Sequence, residues 1–565
     1  MSREMELISG GRRCQAMRKA TGWESIARDA HHPARSKTPD MPGNSMRENR
    51  ETPAAPTVRE TGGRRENAMS DETFMHAAGE SHDCVVPAKA PNKDPQGLAE
   101  GLEGRRSIKE NTIEVNPSRT QSREIGSRGL HGVREAARRD KGLRFTALLH
   151  HVTEELLRDS FYALQRQAAP GVDRVTWQQY EQGLEARIKD LHGRVHRGAY
   201  RAQPSRRIYI PKPDGRQRPL GIAAVEDKVV QQAVVTVLNA IYEEDFIGFS
   251  YGFRLGKSAH DALDALTAGI VWKKVNWILD ADVCGFFDNL DHGHLLEFIQ
   301  RRVGDPRVLR LVQKWLKAGV SEGGEWSETK VGTPQGAVIS PLLANIYLHY
   351  VLDQWVVWWR KRYAYGDMVM VRYADDFVIG FEHRKAAERF LEQLRGRLRE
   401  FGLELHPEKT RLIQFGRFAI ENRQRNGEGK PETFNFLGFT HACGTVHKTG
   451  RFTVLRKTIG KRMAAKLKTI KAELRRRMHE PIKDTGDWLR AVVRGYFNYH
   501  AVPGNFPRLR SFRHDVIRGW WHAVRRRGQR PLRREVFDRI VAQYLPVPAI
   551  VHPYPLERFC ATHPR

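Results

Sequence analysis

The run MVMVRYADDFVIGF, Met368 to Phe381, decides how this chain is to be read. Apolar and β-branched residues fill both flanks, and the tetrad Tyr373-Ala374-Asp375-Asp376 stands between them. Such a pattern predicts two strands joined by a tight polar turn. Neighbouring carboxylates at a hairpin tip repel each other unless a cation or a basic group balances them. Alternation sends strand neighbours to opposite faces, but at a turn both can converge. Taken alone, the tetrad is also compatible with an exposed turn that uses Asp for its backbone chemistry.

A second segment separates the two readings. In NWILDADV, Asn276 to Val283, residues Trp277, Leu279, Ala281 and Val283 share one face, expected to be core, and Asp280 and Asp282 share the other. An apolar back with a carboxylate front, paired with the Asp375-Asp376 turn, suits metal-dependent phosphoryl transfer. Two Mg²⁺ ions roughly 3.5–4 Å apart activate an attacking 3′-hydroxyl and steady a leaving pyrophosphate. Mg²⁺ takes oxygen ligands, usually a few carboxylates completed by substrate phosphates.

Around these strands the middle of the chain, about 171 to 450, alternates short β-like runs with amphipathic helices. Arg206 to Ile210 predicts a strand that ends in the PKPDG turn, and Asp227–Tyr242 and Lys385–Phe401 predict helices. The fold class expected from this mixture is α+β. Past about 453 the strands largely stop. Met463, Leu467, Ile470 and Leu474 recur at helical spacing, with Lys461, Arg462, Lys466, Lys468, Lys471, Arg475 and Arg476 on the other face. The basic bias continues through RRRGQRPLRRE at 525–535, with Trp488, Tyr496, Phe497, Tyr499, Trp520 and Trp521 among the preceding helical residues. Cations that hold phosphates and rings that stack on bases or shape a groove make nucleic acid the expected partner.

Composition agrees. The 565 residues hold 95 Lys+Arg against 66 Asp+Glu, a net charge of +29, which favours polyanions. The longest apolar helical stretch, Leu342 to Trp359, is interrupted by Asn345, His349, Asp353 and Gln354, so no membrane span or membrane partner is expected. The N-terminus MSREMELISGGRRC lacks the apolar core of a signal peptide. Five scattered cysteines without a CxxC pair exclude a disulfide framework and a Cys-rich zinc module, and fit a reducing cytoplasm. Residues 1 to about 100 are rich in Gly, Pro, Ser, Asn and charge, and are expected to form a flexible extension.

Eight segments then occur in a set order: GVDRVTW at 171, RRIYIPKPDGRQRPLGI at 206, FSYGFRLGKSAHDAL at 249, WILDADVCGFFDNLDH at 277, GTPQGAVISPLLANIYL at 332, VRYADDFVIG at 371, LELHPEKTRL at 403 and FNFLGF at 434. In this set, from about 130 to the C-terminus, the chain resembles the group II intron-encoded proteins, reverse transcriptases with an associated maturase. The resemblance implies a right-hand polymerase of fingers and palm, followed by an α-helical thumb/maturase domain. It implies an RNA-directed DNA polymerase that binds its group II intron RNA to assist splicing and copies it during mobility. Deoxynucleoside triphosphates and target DNA are then the further partners, with two Mg²⁺ per active site.

Carried over by position, the metal-binding and catalytic trio is Asp282, Asp375 and Asp376. Asp280 is a rival for the first place, and the family's aromatic five residues on, here Phe287, selects Asp282. Phe287 is then the gate against a ribose 2′-hydroxyl. Lys212 and Arg218 match positions that grip the incoming triphosphate, Gln335 the position beside the template–nucleotide pair, and Lys409 a lysine proposed to protonate pyrophosphate. Asp288 and Asp291 are expected to stabilise the next helix start. For RNA binding the expected residues are Lys466, Arg475, Arg526, Arg527 and Arg530.

The expected domains are a largely disordered extension over 1–129, fingers and palm over 130–452, a helical thumb/maturase over 453–530, and a short basic DNA-contacting tail over 531–565. GYFNYHAVPGN at 495 and RRRGQR at 525 carry the maturase likeness, though the family more often has Ser where Gly528 stands. Many relatives end in a His-Asn-His endonuclease with cysteine pairs. None is seen before Arg565, so no second-strand cleavage is expected. Two other roles remain open at this level: a splicing maturase with secondary polymerase activity, and a reverse transcriptase domesticated for a host task. The oligomeric state is not legible.

Overall fold

The computed structural model describes residues 129–211, 217–329, 331–333, 335–446, 449–527 and 532–562. The expected extension therefore lies outside the described residues except for Gly129, as do Lys212, Gly528 and Arg530.

Eleven strands are described: β1 Ser205–Pro211, β2 Gln217–Ile222, β3 Trp277–Ala281, β4 Val320–Glu322, β5 Glu325–Ser327, β6 Met368–Tyr373, β7 Asp376–Phe381, β8 Arg411–Gln414, β9 Phe434–Phe436, β10 Phe439–Thr445 and β11 Phe452–Thr458. They form three sheets, ordered β2-β1-β4-β5, β6-β7-β3-β8 and β11-β10-β9. The second sheet is antiparallel throughout and carries both acidic segments on adjacent strands. The α+β expectation is met.

That central sheet is covered on both faces. Leu279, Ala281, Met370, Phe377 and Ile379 belong to one core, while Ile278, Val369, Val371, Val378 and Ile413 belong to another. Burial on two sides explains why MVMV and FVIG read as unbroken apolar runs rather than alternating ones. It also corrects the expectation of an open carboxylate face on NWILDADV. Ile278, two residues before Asp280 on that face, is fully buried.

The long apolar stretch forms two helical pieces, Ser340–Leu348 and Gln354–Tyr363, joined by a π-helical turn over His349–Asp353. The widened turn carries Asp353 inward, where its side chain, like that of Arg372 on β6, is wholly buried. Arg372 donates to Asp353 from Nε at 2.7 Å and from a terminal nitrogen at 2.5 Å. Its other terminal nitrogen donates to the Asn345 side chain at 3.0 Å and to the Ala374 carbonyl at 2.9 Å. Two of the four polar residues that interrupt the apolar run, Asn345 and Asp353, are thus buried ligands of one arginine. A bidentate, fully hydrogen-bonded pair is the form in which buried charge is tolerated.

The C-terminal helices Gly460–Arg476, Ile482–His500, Phe506–Val524 and Arg534–Tyr544 share a core that includes Leu467, Ile470, Leu474, Leu489, Val493, Phe512 and Phe537. Trp488, Phe497 and Trp520 are buried in it too, and the Tyr496 ring stacks on Phe512 at 3.6 Å. For Trp488, Phe497 and Trp520 this corrects the expectation that the aromatics among the basic residues stack on bases or shape a groove; Tyr496, Tyr499 and Trp521 are half-buried. The spacing of the buried rings is that of a helical bundle filling its own interior.

Two expected boundaries also move. β11 pairs with β10 through Phe439↔Thr458, so strand structure runs past 452. The stretch after 531 does not stand apart, because Phe537 and Val541 fill the helical core. The last helix, Pro555–Thr562, lies on helix Ala259–Trp272, where Arg558 donates to Asp261 at 2.8 Å and to Asp264 at 3.2 Å. Among the described residues no helix is long and apolar enough to cross a membrane.

The buried pair sets the first prediction. Asp353→Ala leaves a guanidinium buried without its counter-charge and is expected to lower the unfolding free energy by about 3–5 kcal/mol, measured by urea denaturation. A loss within about 0.5 kcal/mol, the range of an ordinary surface change, would contradict this account.

Candidate catalytic site

β6 and β7 meet across Tyr373↔Asp376, so Ala374 and Asp375 form the turn between them. Ala374 takes a left-handed backbone (φ +57°), strained for a residue with a Cβ. Three supports hold it. The Arg372 guanidinium donates to its carbonyl. The FSYGF segment pairs with the edge of β6, with Tyr251 N donating to Arg372 O and Arg372 N donating to Phe249 O, both at 2.9 Å. Gly252 then lies against the turn, where a Cβ would come 2.2 Å from the Ala374 nitrogen. The Asn345 side chain donates to the Gly252 carbonyl at 2.7 Å and closes the circuit.

β3 is the neighbour of β7, in the register Ala281↔Phe377. Continued by one residue, that antiparallel register sets Asp282 across from Asp376. The two distant acidic segments thus converge at one end of the central sheet. Crowding by surrounding protein pushes the Asp376 carboxyl up to about 7, and the Asp375 and Asp282 charges push the same way, against Arg462. The residue as a whole keeps solvent-accessible surface, so the like-charge contribution is the one a bound cation would reverse.

Two cations on the adjoining segment balance the other carboxylates. Residues 404–406 pair with the continuation of β3, with Cys284 N donating to Glu404 O at 2.8 Å and His406 N donating to Asp282 O at 2.7 Å. This brings the Lys409 ammonium into hydrogen-bonding contact with the Asp282 carboxylate. On β8, Arg411 reaches Asp280 at 3.2 Å. Burial raises the Asp280 pKa and Arg411 opposes the rise. Asp280 is therefore committed to a protein cation.

Three further motif segments are joined by backbone. Thr333 N donates to Phe287 O at 2.9 Å, and Gly332 N donates to Leu290 O at 2.8 Å. Gly221 N on β2 donates to Gln335 O at 2.6 Å. Gly332 and Gly336 both have positive φ, and a Cβ on either would fall within 2.8 Å of a backbone carbonyl oxygen. Phe287 and Gln335 are both half-buried. Arg218 is exposed on β2, opposite Ile210. Asp291 caps the next helix by accepting from His294 N at 2.8 Å, as expected, whereas Asp288 makes no such cap. In the C-terminal helices Arg475 and Arg526 are exposed, and Lys466 and Arg527 are half-exposed.

Among the described residues no group of three or more His, Cys, Asp or Glu side chains is arranged to hold a cation by itself. The donors still suit a hard cation. They are carboxylate oxygens, and the Asp375 and Asp282 charges raise the proton affinity of Asp376, as at sites where Mg²⁺ is completed by water and substrate phosphates.

Reading the sequence missed Arg372, Asn345, Asp353 and Gly252 as parts of this site. A signal existed for the middle two, polar residues that interrupt an otherwise apolar helix. Their partner, an arginine inside a strand, carries no local sign of burial.

The family described as reverse transcriptase (RNA-dependent DNA polymerase) matches residues 210–441. Protein YkfC of Escherichia coli K12 is 33% identical over 332 residues, 51% of this chain and 87% of that protein. Group II intron-encoded protein LtrA of Lactococcus lactis is 41% identical over 174 residues, 31% of this chain and 28% of that one. A mitochondrial nuclear intron maturase 2 of Arabidopsis thaliana is 30% identical over 112 residues, 19% of this chain and 15% of that one. The match to most of YkfC, the reverse transcriptase domain and the converging Asp segments agree: the chain belongs to the group II intron-encoded reverse transcriptases and maturases, RNA-directed DNA polymerases.

Proposed function

We propose that the protein extends a DNA strand on an RNA template by two-metal nucleotidyl transfer at Asp282, Asp375 and Asp376. We further propose that it binds its own intron RNA to assist splicing, and copies that RNA during mobility into target DNA. The observation that carries the reading is the register that sets Asp282 across from Asp376, together with the mutual repulsion of these carboxylates. When bound there, divalent cations supply activation of the attacking hydroxyl and neutralisation of the leaving diphosphate.

The chain's own groups take the remaining tasks. In this reading β1 and β2 belong to the fingers, the central sheet is the palm, and the C-terminal helices are the thumb and maturase. Arg218 grips the triphosphate, and Lys212, outside the described residues, is proposed for the same work. Phe287 sets the floor under the incoming sugar, its carbonyl tied to the Gly332–Thr333 loop. Gln335 stands beside the template–nucleotide pair. Lys409, whose ammonium contacts Asp282, is proposed to give a proton to the departing diphosphate. Lys466, Arg475, Arg526, Arg527 and Arg530 are proposed RNA contacts, and the segment after 531 a DNA contact.

Asp375→Ala is expected to abolish primer extension on an RNA template while RNA affinity stays within about twofold, since a half-buried carboxylate is not a group that binds phosphate. Undiminished synthesis would refute the assignment. The same variant is expected to retain splicing rescue at low Mg²⁺, because clamping RNA needs charge and shape rather than the carboxylates. Loss of rescue alongside intact RNA binding would tie splicing to the acidic site.

Salt provides a third check. The logarithm of RNA affinity should fall linearly with the logarithm of salt, with a slope of roughly 0.7–0.9 per phosphate contacted. A flat response between about 50 and 300 mM would count against a basic RNA-binding surface.

A further inference from the structure

A groove of about 590 Å³ lies between helix Gln354–Tyr363 and helix Arg384–Arg399, lined in part by Trp355, Trp358, Tyr363, Gln393 and Arg397. It is remote from the Asp cluster. Tyr363 precedes β6 and the Asp turn follows it, so the six residues of β6 separate them by about 20 Å.

Its chemistry is specific. The Trp358 side chain is 49% exposed, unusual for a residue that normally buries its ring. The Arg389 guanidinium lies over the Tyr363 ring at 4.3 Å, and Arg301, on the rim, lies over Tyr350 at 4.9 Å. Stacked guanidinium and ring planes present flat faces of the kind on which unpaired bases stack. Gln393 uses its carboxamide oxygen to accept from Trp359 Nε1 at 2.5 Å, which turns its NH₂ group into the donor on offer to a base edge. The exposed Arg362 lies over the Tyr363 ring at 5.9 Å, while the lining acid Glu400 pairs with Arg397 at 3.1 Å and Arg301 pairs with Glu297 at 3.2 Å. A Cβ on Gly396 would meet nothing within 4 Å, so the groove floor is open there.

We propose that this groove is a second nucleic-acid site that holds an unpaired RNA segment by stacking, separate from the polymerase cleft. It rests on the reading of the protein as an RNA-binding polymerase only for the identity of the polyanion. Charge complementarity favours RNA over a protein partner, because Arg301, Arg362, Arg389 and Arg397 around the groove outnumber Glu297 and Glu400, and each of these guanidinium groups lies over a ring.

The test uses the full chain with its cleft saturated by a DNA primer annealed to an RNA template. A short oligouridine carrying 4-thiouridine is added and photo-crosslinked. Cross-links are expected within residues 354–363. Trp358→Ala with Tyr363→Ala should weaken oligouridine binding about 5- to 100-fold, the loss of one or two stacked bases, while primer extension is unchanged. Gly396→Leu, whose Cβ enters space with no other atom within 4 Å, should block the same cross-link. Unchanged affinity and cross-linking in both variants would overturn the proposal. So would variants that alter self-association or protein binding while oligouridine affinity holds. Failure of the wild-type protein to extend the primer would instead count against the polymerase reading, whatever the oligouridine result.

Discussion

The site depends on one buried ion pair. Arg372 and Asp353 have no exposed side-chain surface, and the guanidinium that closes the pair also donates to the carbonyl of strained Ala374. Without that donor the left-handed turn would keep only the FSYGF pairing and the close contact of Gly252 to set the position of Asp375 and Asp376. Asn345 extends the same network to Gly252, so three segments distant in sequence lock one turn. The pair's worth lies in geometry more than in net stability, because desolvation offsets much of the Coulomb attraction.

Above that support the site is a problem of charge. Acidic residues are drawn together at one end of a sheet, and the protein opposes their repulsion unequally. Asp280 is held by Arg411 and Asp282 by Lys409, while Asp376 keeps a raised proton affinity. A cluster left partly uncompensated has free energy to gain from a divalent cation, whereas one fully paired with arginine has not. The proposed division of labour, with Asp280 structural and Asp282, Asp375 and Asp376 active, rests on the family positions, since Asp280 and Asp282 each hold a protein cation.

Basic residues and aromatics also separate in a way their mixture in the sequence conceals. In the C-terminal helices the rings of Trp488, Phe497 and Trp520 are interior, and cations such as Arg477 over Trp488 and Arg534 over Trp521 cover ring faces from outside. A more exposed ring, Trp358, stands elsewhere, against Tyr363, over which the Arg389 guanidinium lies.

From the sequence alone came the strand–turn–strand at Met368–Phe381, the second acidic strand, the major helices and the α+β class. These follow from local periodicity and turn chemistry, which act between residues close in the chain. The family likeness added candidate roles for Asp282, Phe287, Gln335 and Lys409 that no spacing could supply. Tertiary structure alone decided that the sheet is buried on both faces, that Arg372 is a core residue, that Lys409 meets Asp282, and that Phe537 joins the helical core. Burial and ion pairing are set by segments tens to hundreds of residues away, and an arginine in a strand has the same letter whether it faces water or an aspartate.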